Sequence, residues 1–147
     1  MPADPRQRVR SLEIRGTGFD WESLEWKSTW KKFNVALRLR GKQELDRRSE
    51  ISRAALAVNE LRNAMTHFKP EWHHDLKKHK DVGDALAGFF VPNPTFANEP
   101  IFPRAWVGHS CTCWVVDSTV KFLQEFERLA DLPKRTDWPA LQGRLQA

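Results

Sequence analysis

The last third of the chain carries the pattern that most restricts its fold. Val116, Val120 and Leu123 recur at spacings of four and three, and Val115, Phe122, Phe126 and Leu129 form a second stripe beside them. An α-helix, at 3.6 residues per turn, gathers residues so spaced onto one side. Two adjacent stripes make a wide apolar face, which suits a helix buried on more than one side. Gly108 or Ser110 starts this helix, and Pro133 lies beyond its end.

The same period returns twice upstream. Ser49 reads as a start signal, with Glu50 in the first turn, and Ile51, Ala55, Val58, Leu61 and Met65 then fall on one helical face. Pro70 disfavours helical geometry for Lys69 before it, so this helix closes around His67 or Phe68. An earlier helix is expected from Asp20 to about Leu39. It carries Trp26, Trp30, Phe33 and Leu37 as its stripe, with Gly41 as its stop, and a polar link over residues 42–48 comes next. Pro70 also suits the first position of a short helix with Glu71 and Trp72. Another helix is expected around residues 81–89, and Pro92, Pro94, Pro100 and Pro103 then mark a loop without regular structure. No alternation of apolar and polar residues longer than four speaks for a strand, and no internal repeat occurs. The expected fold is all-α, an up-and-down bundle of three main helices with shorter ones added, over residues 19–133. Residues 1–18 read as a loosely held arm and residues 134–147 as a tail containing Trp138.

The 147 residues fit one domain, and a 40% hydrophobic content supplies a core and excludes intrinsic disorder. A domain of this size buries about two-thirds of its unfolded surface without disulfide or metal staples. Cys111 and Cys113 would point about 200° apart on a helix, so they form no bridge, and a cysteine content this low suits a reducing cytosol. Residues 1–10 lack the apolar run of a signal peptide. The longest uncharged stretch, residues 85–98, is too short to span a bilayer and holds two prolines, so a cytoplasmic protein with no membrane partner is expected. Twenty-four Lys and Arg against 19 Asp and Glu leave a net charge of +5, which permits phosphate polymers or anionic surfaces as partners.

Against that background Arg62-Asn63-Ala64-Met65-Thr66-His67 stands out. Five residues along a straight helix is about 500°, which separates the Arg and His side chains by roughly 140°. They converge if the helix loosens just before His67, where Thr66 can hydrogen-bond backbone groups in the last turn. Imidazole serves as acid or base near neutrality, and guanidinium matches phosphate oxygens while staying charged. Metal-free RNA cleavage needs these groups: a base for the 2′-hydroxyl proton, an acid for the 5′-oxygen and a cation for the phosphorane.

The motif resembles that of the HEPN superfamily, small helical bundles with Arg, a polar residue, a few further positions and His at the end of a long helix. The continuation Phe68-Lys69-Pro70-Glu71-Trp72 and the later Cys113-Trp114 helix are similar to a bacterial HEPN-like subgroup. The likeness covers about residues 20–131, and its specific part is the dozen residues from Leu61 to Trp72. It implies a metal-independent endoribonuclease, a toxin or antiphage effector, in which Arg62 and His67 from two chains of a homodimer line one cleft. Asn63 would orient the phosphate or the partner's imidazole, and the product would be a 2′,3′-cyclic phosphate. No metal or cofactor is required. The implied partners are the RNA substrate and an antitoxin or regulatory protein. Lys69 stands where toxin members paired with a nucleotidyltransferase carry a modified Tyr, and the chain has no Tyr, which excludes that form of control. A second reading, a non-catalytic module binding RNA, nucleotide or protein, fits the same resemblance.

Plainer readings stand beside these. Arg62 and Asn63 also suit a solvent-facing helix end, and His67 a terminal cation favoured by the dipole. Lys69, His73, His74, Lys77 and Lys78 are candidate nucleic-acid contacts; with His79 and Lys80 they equally suit a solvated face, and adjacent lysines oppose a metal. His109, Cys111 and Cys113 have spacing that scatters ligands around a helix, so the cysteines read as small buried groups. Trp21, Trp26, Trp30, Trp72, Trp106 and Trp114 follow apolar stripes, which points to core or dimer packing ahead of base stacking. Asp117 and Glu125 have no paired partner and take no catalytic role.

Overall fold

A computed structural model describes residues 28–68 and 77–133. These residues form four α-helices: α1 (Thr29–Leu39), α2 (Glu50–Thr66), α3 (Lys77–Leu86) and α4 (His109–Leu129). A 3-10 turn covers Pro94–Phe96 and a wider turn Ile101–Ala105, and no strand occurs among the described residues. The chain is all-α. The arm at residues 1–18, the tail at 134–147, Asp20, Trp21, Trp26 and the short helix expected at Pro70 lie outside the described residues.

Local chemistry sets the boundaries. α1 starts at Thr29 because Ser28 is extended (φ −59°, ψ 153°) and its hydroxyl accepts from the Lys31 N–H, so the expected unbroken helix from residue 20 does not form. Its end is a Schellman motif: Gly41 sits at φ +66°, its N–H bonds the Arg38 carbonyl, and the Lys42 N–H bonds that of Leu37. α4 ends the same way, with Asp131 at φ +54° and N–H bonds from Asp131 to Arg128 and from Leu132 to Glu127. Ser49 caps α2 by accepting from the Ser52 N–H at 3.2 Å. α3 already includes Lys77, earlier than residue 81, because an exposed run of lysines is compatible with a solvent face, and it ends before Gly88 at φ +83°. The proline-rich stretch is more ordered than a plain loop. Asn93 caps the 3-10 turn through the Thr95 N–H, and the turn at residues 101–105 breaks at Phe102, which precedes a cis Pro103.

Two apolar clusters hold the helices together. In the first, Ala57 and Leu61 of α2 meet Leu86, Phe102 and Cys111, with Ala64, Trp114 and Val115 packed alongside. In the second, Leu37, Leu45, Phe122 and Ala130 are enclosed by Trp30, Phe33, Ile51 and Ala55. The start of α2 thus meets the end of α4, and the end of α2 meets the start of α4, so the two run antiparallel. Trp30 and Phe33 contact Phe122 while Arg40 reaches the Ala130 carbonyl at 2.8 Å, so α1 runs alongside α4 in the same direction. The arrangement is up-and-down, as the helical stripes anticipate. Because α2 faces different neighbours along its length, its buried set is Ser52, Ala57 and Leu61, and Met65 is 52% exposed instead of completing the expected stripe.

Candidate functional site

The Arg-Asn-x3-His motif occupies the last turn of α2. The helix stays regular through Thr66, whose hydroxyl donates to the Arg62 carbonyl at 2.8 Å. His67 is the C-cap, and its N–H still closes the helical bond to the Asn63 carbonyl at 2.9 Å. The chain leaves the helical path at His67 itself (φ −111°, ψ 25°), one step later than the loosening expected just before it. Regular geometry separates Arg62 from His67 by roughly 140° around the axis. Both residues are exposed. The Arg62 Nη1 donates to the Asn63 Oδ1 at 3.0 Å, so Asn63 holds the guanidinium of its own chain.

Phe68, directly after the cap, ties the end of α2 to α3. Its ring stacks on His79 of α3 at 5.6 Å with 7° between planes, and both rings meet the buried Phe102 edge-on, at 6.1 Å and 5.3 Å. This trio brings a basic stretch of α3, with Lys77 and Lys78 exposed, beside the end of α2. The α2 C-terminus is a partial negative charge, so a phosphate there depends on these cations. Lys69, His73 and His74 lie outside the described residues. His79 belongs to an aromatic contact, a role that no periodicity announces, since the three rings come from three separate segments.

On another side of α2, Arg62 lines a groove between α1, α2 and α4 with a volume of about 380 Å³. Trp30, Phe33, Val58, Phe122 and Leu123 supply its apolar wall. Lys31, Arg47 and Arg62 also line it, against the single carboxylate of Glu60. Arg47 comes from the polar link before α2, so sequence spacing gave no sign that it would line one groove with Arg62.

The remaining candidates separate. Cys111 is buried, which pushes its thiol pKa up, whereas Cys113 is half-exposed with its Sγ 3.3 Å from His109 Nε2. Only one of the two cysteines is therefore a buried small group as expected, because residues four apart meet on a helix surface and Cys111 faces the core. Among the described residues no three His, Cys, Asp or Glu side chains come together as metal ligands. Trp30 and Trp114 pack against phenylalanines, and the Trp106 indole donates to the Pro103 carbonyl at 3.0 Å. Trp72 is outside the described residues. No helix among the described residues is long and apolar enough to cross a membrane. In comparisons with protein-family models, curated proteins and solved structures, nothing matches the chain.

Proposed function

We propose that this chain is a metal-independent endoribonuclease of the toxin or antiphage-effector kind, acting as a homodimer through Arg62, Asn63 and His67. The observation that carries this reading is the pair Arg62–Asn63 at the end of α2: an exposed guanidinium held by a neighbouring amide, followed by an exposed imidazole at the helix cap. A fixed fork and a titratable ring, brought together from two chains, are what phosphoryl transfer to an internal hydroxyl demands.

In the proposed reaction one His67 takes the 2′-hydroxyl proton, the freed oxygen attacks phosphorus, and the bond to the 5′-oxygen breaks. The second His67 protonates that oxygen. The products are a 2′,3′-cyclic phosphate and a 5′-hydroxyl, with Arg62 neutralising the pentacoordinate phosphate. The divergence of Arg62 and His67 on one regular helix supports the composite form, since a single chain aims them apart and a two-fold pair supplies an imidazole from each side. The same divergence favours the second reading, capture of RNA without cleavage, should the chain act alone.

The test is cleavage of end-labelled single-stranded RNA in EDTA. Wild type should cleave, and His67→Ala should lose on the order of 10²–10⁴-fold in rate. Arg62→Ala should fall comparably, with helicity by circular dichroism unchanged in both. Mixing wild type with excess His67→Ala protein should lower cleavage by more than dilution alone if residues from two chains share one cleft, because a mixed dimer lacks either its acid or its base. A folded wild type that leaves several RNAs intact rejects the nuclease in favour of the binding module.

A further inference from the structure

We propose that the groove between α1, α2 and α4 seats an unpaired nucleobase of an RNA strand, with Arg47 and Arg62 on the adjoining phosphates; this rests on RNA being the ligand, as the nuclease reading holds. The groove's volume of about 380 Å³ falls in the range of pre-formed ligand sites, roughly 300–1,000 Å³. Its wall combines two chemistries that occur together in a nucleotide. Trp30 and Phe33, both half-buried, offer aromatic surface to a flat ring in front of the buried Phe122. Three cationic side chains, Lys31, Arg47 and Arg62, face one carboxylate, Glu60, leaving the rim with an excess of two positive charges. An aliphatic or neutral peptide ligand would gain nothing from that excess, whereas a base carrying a phosphate uses both parts.

Arg62 joins this groove to the motif. Thr66 bonds its carbonyl, Asn63 holds its guanidinium, and the residue lines the groove. A base held there leaves its phosphate beside the same residue that the cleavage reading assigns to the phosphorane. A paired base has both faces covered by its stack and its edge occupied, so it does not enter. The groove therefore selects single-stranded RNA.

The experiment uses the full chain carrying His67→Ala, so that the probe is not consumed, and fluorescein-labelled oligoadenylate of ten nucleotides, alone or annealed to oligouridylate. The single strand should bind at least tenfold more tightly than the duplex. Val58→Trp, which fills the groove, and Arg47→Glu, which reverses the rim charge, should each weaken it at least tenfold. Equal affinity for strand and duplex overturns the proposal, as does undiminished binding by a Val58→Trp protein with parental helicity and melting. Should that variant not fold, 2-aminopurine in the strand decides: stacking quenches its fluorescence, and unquenched fluorescence at saturation overturns the groove. Cleavage by wild type without groove dependence would remove this proposal and leave the nuclease. Groove-dependent binding without cleavage would do the reverse.

Discussion

The two apolar clusters share α2 and α4 yet are built by different means. The cluster around Leu37 and Phe122 is helix against helix. Trp30, Phe33, Phe122 and Phe126 interlock at centroid distances of 4.8–6.0 Å, and both helix ends that border it close with Schellman motifs. Side chains tie its corners: Asn34 accepts the Leu45 N–H at 3.0 Å, and Arg40 donates to the Ala130 carbonyl. The cluster around Leu61 and Phe102 instead depends on a short helix and a broken turn, and Trp114 leaves a buried indole N–H without a partner there. The proposed catalytic residues sit at the end of α2 where the loop-built cluster begins, while Arg62 still borders the helix-built one. The proposed chemistry would thus sit where packing is least regular, with Arg62 held by Asn63 and Thr66 of its own helix end.

The largest expected effect comes from removing each cluster's centre. Phe102 is 3% exposed and Leu37 fully buried, so Phe102→Ala should cost about 3–5 kcal/mol and Leu37→Ala about 2–5 kcal/mol in urea unfolding. Because α2 and α4 run through both clusters, far-UV and near-UV signals should give one transition in each variant; two transitions would make the clusters separate units. Phe102→Ala should also release Phe68 and His79, lowering RNA cleavage more than an equally destabilising change at Leu37.

A smaller contrast lies within the helix-built half. Gly41 and Asp131 fill equivalent positions in two Schellman motifs, both at positive φ, but only one is glycine. Gly41→Ala should lower stability by about 1–2 kcal/mol, and Asp131→Gly should raise it by several tenths of that, less whatever the contact from Lys42 at 3.4 Å contributes. Loss on Asp131→Gly would show that this contact outweighs the backbone.

The smallest effects are electrostatic and have opposite pH dependence in the two halves. The hydrogen bond from Arg128 holds the Glu125 carboxyl below the usual carboxylate range, so its contribution is present above about pH 4.3 and fades as pH falls through the lower folded value. Glu125→Gln should therefore cost about 0.5 kcal/mol or less at pH 7 and nothing near pH 2, read from urea midpoints. On α3 the hydrogen bond to Asp84 raises Lys80 above its ordinary value. That contribution is present below the ordinary lysine range and is lost only as pH rises through the higher folded value. Lys80→Met should thus shift the midpoint slightly at pH 7 and not at all in strong alkali.

Much of the helix-built half was legible in the residues. Ser49, Gly41 and the stripes of α4 act through backbone sterics and a fixed 3.6-residue period, which are local properties of the chain. The start of α1 was misplaced because an apolar stripe continuing through Trp26 says nothing about Ser28, whose hydroxyl competes for the backbone at that point. In the loop-built half the sequence showed prolines and therefore an irregular path, but not that Phe102 would be buried by it. His79 looked like one more member of a basic run until Phe68 and Phe102 met its ring. The motif at Arg62 was visible as a pattern of residue types, and its position at a helix end came from Pro70.

The sequence by itself determined that the chain is helical, where α2 and α4 lie, and that Arg62, Asn63 and His67 stand at the end of a helix, because hydrogen bonds and sterics within a few residues decide those matters. Only the tertiary structure decided that Arg62 and Arg47 border one groove with Trp30, that His79 stacks on Phe68, and that Met65 faces solvent. Those outcomes depend on which segments distant in the chain approach one another, and close packing settles that for the whole molecule at once.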